Sequence, residues 1–177
     1  MNERMPEDRS IHDLIEELVP TLEDERFSNP VEARKKAMDY LARREHGRVE
    51  LCKKLIKFGF DADISDDAIE RLIEDGLQSD QRFAEAFIQS SINQGKGPAR
   101  IRADLSQRGV SDGVINDGLH ESGQNWRALA RDVREKKFGM ALPVDFKQKA
   151  RQMRFLQYRG FGPNHIQSAV SAGDKCD

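Results

Sequence analysis

The sequence predicts an all-α protein built from three tandem three-helix repeats that form an elongated, curved array. Three glycines lie 50 and 51 residues apart, and each follows a leucine by four positions. The pairs are Leu55 and Gly59, Leu105 and Gly109, and Leu156 and Gly160. Helix-capping residues divide the chain throughout, and no run of alternating β-branched residues indicates a strand. A repeat of this length is typical of stacked units that bury apolar faces against neighbouring units.

The similarity between the copies continues beyond each glycine, with an apolar residue, a turn-forming stretch, a second apolar pair and a closing glycine. The pairs align once four extra residues are allowed in the first copy. These pairs are Ile69 and Ile73, Ile115 and Leu119, and Ile166 and Val170, closed by Gly76, Gly123 and Gly173. We therefore expect an acidic N-terminal extension at 1–28, repeats at 29–78, 79–123 and 124–173, and a tail at 174–177.

The first repeat is expected to begin with a helix over residues 30–44. Asn29 is suited to cap that helix and Pro30 to occupy its first turn. The other helices are predicted at 48–58, ending at a left-handed Gly59, and from Ser65 or Asp66 to near Gly76.

The second repeat is expected to start at Ser79 or Asp80, before a broad apolar stripe that ends at Ile92. Pro98 opens its middle helix, which directs Ile101 and Leu105 inward, and Ser111 caps the third helix. In the third repeat Gln152 stands where Leu51 and Ile101 stand in the other copies, which predicts a core rotated toward Met153. The predicted elements of the third repeat are a helix on Trp126, Leu129, Ala130 and Val133, a middle helix over 144–158 that buries Phe146, Ala150, Met153 and Leu156, and a last helix opened by Pro163.

The composition indicates a solvated helical protein. Charged residues make up 34% of the chain, above the average of about 25%, and hydrophobic residues only 37%. The sequence has no apolar run long enough to cross a membrane and only two cysteines, so we expect a cytoplasmic protein. Cys52 is interpreted as a small buried thiol rather than a reactive one. The segment 1–28 carries a short apolar pattern among many acids and is expected to be poorly ordered.

Charge alternates strongly along the chain although the net charge is only -2. Acids exceed bases by ten to three in residues 1–32 and by eight to one in residues 61–80. Bases exceed acids by nine to three in residues 33–60 and by ten to three in residues 124–159. Local fields rather than the net charge should therefore select the partners.

Several classes of function are disfavoured by the motifs. The segment from Gly95 to Pro98 looks superficially like a phosphate loop, but it has no earlier glycine at Ser90 and no Ser or Thr after Lys96. The four histidines are scattered over the chain with no metal-ligand spacing. No nucleophile motif is present either, so we expect no catalytic residues, no metal and no cofactor.

Cations recur on the middle helix of every repeat with few acids beside them. In the third repeat they fall at i, i+4 and i+7, followed by a tyrosine at i+11, and so form one stripe. A basic ridge of this kind is suited either to a phosphate backbone or to an acidic protein groove. The candidate binding residues are Arg48, Lys53, Lys57, Lys96, Arg100, Arg102, Arg108, Lys147, Arg151, Arg154, Tyr158 and Arg159.

Three sequence segments resemble the RecX family of bacterial recombination regulators. They are SDQRFAEAFI at 79–88, KGPARIRADL at 96–105 and RFLQYRGF at 154–161. The resemblance extends over about residues 33–173 and implies tandem three-helix repeats. It also implies a protein that modulates the RecA recombinase, binds the RecA filament on single-stranded DNA along its groove, and inhibits its recombinase and ATPase activities.

Some members of that family also bind DNA, so single- or double-stranded DNA is a second expected partner. We expect a monomer that is not an enzyme. Two alternatives remain open from the sequence: an independent nucleic-acid-binding protein, and a helical-repeat scaffold for an unrelated protein. The acidic segments at 1–32 and 61–80 argue against the first of these.

Overall fold

The computed structural model of the chain describes residues 27–171, which contain nine α-helices and no β-strand. The helices, three to each repeat, are α1 Pro30–Leu41, α2 Arg48–Phe58, α3 Ala62–Glu74, α4 Asp80–Asn93, α5 Pro98–Ser106, α6 Asp112–Glu121, α7 Trp126–Phe138, α8 Phe146–Tyr158 and α9 Pro163–Val170. The all-α prediction is confirmed. Expectations for residues 1–26 and 172–177, including Gly173, lie outside the described residues.

One compact unit holds α1, most of α2 and α3. The Asn29 side chain accepts a hydrogen bond from the Val31 backbone N–H at 2.9 Å, as its predicted role as an N-cap requires. Phe27 packs against the buried cluster of this unit, in edge contact with the ring of Phe60 at a centroid distance of 5.6 Å. That cluster consists of Ala33, Ala37, Leu51, Leu55, Phe60, Ala68, Ile69 and Leu72.

Helix α3 begins three residues earlier than the capping pattern predicted. Its first residue is Ala62, and Ser65 is fully buried within the first turn, with its backbone N–H bonded to the Asp61 carbonyl at 2.9 Å. The early start places Leu72 in the core and leaves Ile73, a member of the second apolar pair, 36% exposed. Serine often caps a helix, but because it is small it can also be buried inside one. Its presence alone therefore does not mark a helix start.

The second compact unit holds residues 45–50 and helices α4 to α9. It contains two buried clusters, one from α4 to α6 and one from α7 to α9. Trp126 and Leu129, on α7, pack against both clusters. The two repeats of this unit therefore share an apolar seam, as stacked repeats require.

The helix-ending glycines adopt the left-handed conformation that the sequence predicted, with φ of 123° at Gly59, 81° at Gly109 and 89° at Gly160. Two of them also lie where neighbouring elements meet. A Cβ on Gly109 would lie 2.5 Å from Val49 Cγ2 of α2, and one on Gly160 would overlap the Arg100 backbone of α5. The recurring glycine therefore provides a contact with another helix as well as a helix end.

The third repeat does not rotate its core toward Met153. Gln152 itself is buried, with 6% of its surface exposed, and Leu156 is fully buried. Met153 is 37% exposed and Phe146 is 87% exposed, so the prediction that both are buried was wrong. Gln152 and Leu156 are four residues apart and thus occupy one helix face, which keeps the register of the other repeats.

Candidate functional site

The third-repeat stripe on α8 consists of Lys147, Arg151, Arg154 and Tyr158, and all four side chains are exposed. The stripe lies on the face of α8 opposite Gln152 and Leu156, because residues at these spacings are separated by about half a helical turn. Within the described part of the chain none of its three cations forms an ion pair. Arg151 instead lies over the Phe138 ring, 5.8 Å from the centroid.

Tyr158 is 79% exposed at the C-terminal end of this stripe. An exposed aromatic ring beside unpaired cations provides a flat apolar surface and a positive field at the same place. This combination can hold an anionic polymer or an acidic protein surface without a deep pocket. The predicted residues of α8 thus form one continuous, accessible surface.

On α2 the predicted cations divide into two groups. Lys53 and Lys57 are exposed and form no ion pair among residues 27–171. Lys54 lies over the Tyr40 ring, 4.8 Å from the centroid, and is partly buried. Arg48 is the first residue of the helix and is also partly buried, and its backbone N–H donates to Asp80 Oδ1 at 2.7 Å. Lys53 and Lys57 are therefore the accessible cations of this helix.

The second-repeat cations are drawn together by a single carboxylate. Asp104 forms ion pairs with Lys96 and with Arg100, each at 3.0 Å. Arg108 donates to the Asp104 carbonyl at 2.9 Å and lies over the Phe87 ring at 4.7 Å. The single carboxylate offsets one of the three positive charges, so the second repeat offers a weaker field than its count of cations predicted.

Arg102, the remaining cation of α5, is partly buried and lies outside this cluster. The sequence could not separate paired from accessible cations. Asp104 follows Arg100 by four positions, which is the spacing of a helical ion pair, and that spacing is the signal that identifies the cluster.

Arg159 joins the second and third repeats. Its guanidinium donates to the Gln94 carbonyl at 2.8 Å, and its own carbonyl accepts from the Gly97 N–H at 2.7 Å. The Gly160 carbonyl accepts from the Ala99 N–H at 3.1 Å. Backbone amides that would hold a phosphate at the start of α5 are therefore already bonded to carbonyls, which agrees with the rejection of a phosphate loop.

An open cleft of about 510 Å³ lies between the end of α4, helix α7 and helix α8. Its apolar walls include Leu129, Val133 and Phe155, and Lys136 and Lys137 line it together with Arg159. Sequence reasoning missed the two lysines because they lie on the first helix of the repeat rather than the middle one. They extend the positive field of the third repeat beyond α8.

Between residues 27 and 171 no group of three or more His, Cys, Asp and Glu residues is arranged to hold a metal ion. In the same part of the chain no helix combines the length and the apolar character needed to cross a membrane.

Comparison with known proteins identifies each repeat. Residues 33–72 match the family model described as "RecX, first three-helix domain". Residues 79–119 and 127–170 match the models described as the second and third three-helix domains of RecX.

Relatives and solved structures agree with these matches. The chain is 45% identical to Regulatory protein RecX of Halorhodospira halophila (strain DSM 244 / SL1), over 80% of this chain and 88% of that protein. It is 46% identical to Regulatory protein RecX of Pseudomonas entomophila (strain L48), over 85% and 97% of the two chains.

The crystal structure of RecX from Lactobacillus salivarius has a similar fold, with a TM-score of 0.67 and 21% identity over 80% of this chain and 94% of that chain. A second crystal structure, of a regulatory protein RecX, has a TM-score of 0.69 at 19% identity over 94% of this chain and 80% of that chain. The matches to three consecutive family domains and the identity to these relatives show that this chain belongs to the RecX family of regulatory proteins.

Proposed function

We propose that this protein binds RecA filaments assembled on single-stranded DNA and inhibits their recombinase and ATPase activities. The observation that carries the proposal is the α8 stripe, whose exposed cations have no ion-pair partner among the described residues. The family membership supports it, because the relatives are named regulatory proteins. The protein then acts by binding rather than by catalysis, as a cytoplasmic monomer.

Several weak contacts along a repetitive partner suit this distribution of charge. Lys53 and Lys57 on α2 and the stripe on α8 are accessible on different repeats. When one contact has formed, the next becomes intramolecular, and the effective concentration raises the overall affinity. A filament offers the repeated acidic or phosphate groups that such a binder requires.

Charge reversal of the stripe tests this proposal. The variant Lys147→Glu, Arg151→Glu and Arg154→Glu should inhibit the RecA ATPase on single-stranded DNA at least about tenfold more weakly, because removing charge-assisted contacts costs more than about 1.4 kcal/mol. The measurement is the concentration of the protein that halves ATP hydrolysis, determined at low and at high salt. At high salt the difference should shrink, since screening weakens the wild-type contacts.

The matched control is Lys35→Glu, Arg71→Glu and Arg131→Glu, which changes the net charge equally at exposed positions outside the stripe. It should inhibit as the wild type does. Equal inhibition by the stripe variant and the wild type would contradict the role of α8. An equal loss in both variants would mean that net charge, not the stripe, determines binding.

Inhibition by occupying the filament groove can be separated from inhibition by filament destabilisation. Groove occupancy leaves RecA on the DNA while strand exchange and ATP hydrolysis fall. Destabilisation releases RecA subunits in step with the loss of activity. Fluorescence of labelled RecA on an immobilised strand, followed after addition of the protein, measures which of these occurs.

A second candidate function is direct binding of single-stranded nucleic acid without RecA. Tyr158, 79% exposed, and Phe146, 87% exposed, provide rings for base stacking on the same helix as the cations. Fluorescence anisotropy with bare DNA over a salt series separates the two functions. An independent binder shows submicromolar affinity that falls steeply with salt, whereas a filament-dependent regulator binds bare DNA weakly.

A further inference from the structure

The connection between α7 and α8 is unlike the matching connections in the other repeats. Residues 42–47 and 94–97 make the same link in the first and second repeats and contain no apolar side chain larger than alanine. The third repeat uses residues 139–145, which include Met140, Leu142 and Val144. The fold therefore does not need an apolar connection at this point.

These apolar side chains are turned to solvent. Met140 is 84% exposed, Val144 is 86% exposed and Phe146, at the start of α8, is 87% exposed. Leu142 is 38% exposed. Single exposed apolar residues are common on protein surfaces, but four within residues 140–146, here called the apolar loop, are typical of an interaction site.

A buried guanidinium holds the apolar loop in place. Arg134, on α7, is only 1% exposed, and it donates to the Ala141 carbonyl at 2.9 Å and to the Met140 carbonyl at 3.1 Å. At the other end, the Asp145 carboxylate accepts from the Gln148 N–H at 2.7 Å and caps α8. The ion pair of Arg134 with Glu135 at 3.3 Å offsets part of the cost of burying its charge, and the two bonds to the loop carbonyls hold the backbone of the loop in one conformation. A loop already held in one conformation loses less entropy on binding.

The charges beside the apolar loop indicate the chemistry of its partner. Lys136 and Lys137 precede it and Lys147 follows it, all three of them exposed. The two nearby acids are engaged, because Asp145 caps α8 and Glu135 pairs with Arg134 at 3.3 Å. The partner surface should therefore combine an apolar pocket with an acidic rim. Aliphatic side chains have no ring to stack on bases, so Met140, Leu142 and Val144 favour a protein surface over a nucleic acid.

We propose that the apolar loop inserts into an apolar, acidic-rimmed pocket on the protein subunits of the filament, while the α8 stripe contacts anionic groups beside that pocket. This inference rests on the proposed function, since it names how the same partner is held. It assigns the loop to protein recognition and separates that role from contact with DNA.

The test is the variant Met140→Ser and Val144→Ser, measured for affinity to RecA filaments on single-stranded DNA and to bare single-stranded DNA. We expect a loss of about tenfold or more on filaments, because buried apolar anchors carry a large part of the binding free energy. The loss should persist at high salt, because apolar contacts are not screened. Affinity for bare DNA should not change.

The control Val31→Ser and Met38→Ser removes exposed apolar side chains elsewhere and should bind filaments as the wild type does. Equal filament affinity of the loop variant and the wild type overturns the loop proposal and leaves the proposed function standing. A parallel loss on bare DNA assigns the loop to nucleic acid and overturns it too. Failure of the wild type to bind filaments contradicts the proposed function itself, and the loop proposal with it. Circular dichroism confirms that each variant is folded.

Discussion

Gln152 shows how one residue can interrupt a repeat without changing its register. Leu51 and Ile101 occupy the matching core positions and are fully buried, whereas the Gln152 amide is buried with its Oε1 lacking a hydrogen-bond partner among residues 27–171. A buried acceptor without a partner loses its hydration and gains nothing in return. The third repeat therefore tolerates a destabilising side chain because Leu156 holds the helix face in place.

Replacement of this glutamine by leucine should stabilise the protein. We expect Gln152→Leu to raise the free energy of unfolding by about 1 to 2 kcal/mol, because it removes an unsatisfied acceptor and adds apolar burial. Urea denaturation followed by circular dichroism measures the change. The control Gln157→Leu, at an exposed position of the same helix, should change stability by less than about 0.5 kcal/mol. A destabilised Gln152→Leu variant would mean that the amide has a polar partner in solution.

The first turn of helix α9 depends on a neutral histidine. The Gly162 N–H donates to His165 Nδ1 at 3.2 Å, which satisfies a backbone group that the helix leaves open. Burial, and to a smaller extent the Arg127 guanidinium, lowers the pKa of His165 below its ordinary value. Protonation of the ring would remove the acceptor and place a cation at the positive end of the helix.

This lowered pKa makes the stability of the protein depend on pH in a defined direction. Between the folded-state pKa and about 6.5, the ordinary value for histidine, the unfolded chain binds more protons than the folded one. The contribution of His165 is therefore complete above about pH 6.5 and is lost as the pH falls through the folded-state pKa. His165→Gln keeps a side-chain acceptor and removes the titration, so its melting temperature should fall less on acidification than that of the wild type.

Thermal melts at several pH values, followed by circular dichroism, provide the comparison. The control Asn164→Gln, at an exposed position in the same first turn of α9, should keep the wild-type pH dependence. If His165→Gln followed the wild-type curve, α9 would not depend on the neutral ring.

Gly160, which ends the middle helix of the third repeat, also lies where the second and third repeats meet. Gly160 has a φ of 89°, and a Cβ at this position would overlap the Arg100 backbone. Gly76 also has a positive φ, 69°, but a Cβ there would meet nothing within 4 Å. The two positions share the backbone conformation and differ in the close approach of a neighbouring helix.

Alanine substitution at these glycines therefore separates conformation from packing. Gly76→Ala should cost about 1 kcal/mol, the penalty of a left-handed backbone, and Gly160→Ala about 3 kcal/mol, because a backbone must also move. Chemical denaturation of both variants measures the difference. Equal costs would show that the contact with Arg100 relaxes freely and that the glycine is needed only for the helix end.

The fold could be predicted from the sequence because the residues that begin and end helices are local signals. The side chains of Asn29, Ser79 and Ser111 accept backbone N–H hydrogen bonds at helix starts that the sequence predicted, and prolines open α1, α5 and α9. The start of α3 was missed because a serine can serve a cap or a core equally well. The burial of Phe146 was predicted wrongly, because an apolar residue at the start of a helix gives the same sequence pattern whether it is buried or exposed.

The three repeats, the left-handed glycines and the family follow from the sequence alone, since each depends on short-range patterns that recur along the chain. Which cations are accessible follows only from the folded structure. Asp104 forms ion pairs with both Lys96 and Arg100 in the second repeat, while the cations of the α8 stripe form none among the described residues. The folded structure also shows that Arg134 holds the backbone of the apolar loop through the Ala141 and Met140 carbonyls. The four-residue spacing of Arg100 and Asp104 is a local signal, but burial, and the pairing of Lys96 eight residues before Asp104, depend on how the folded chain brings side chains together.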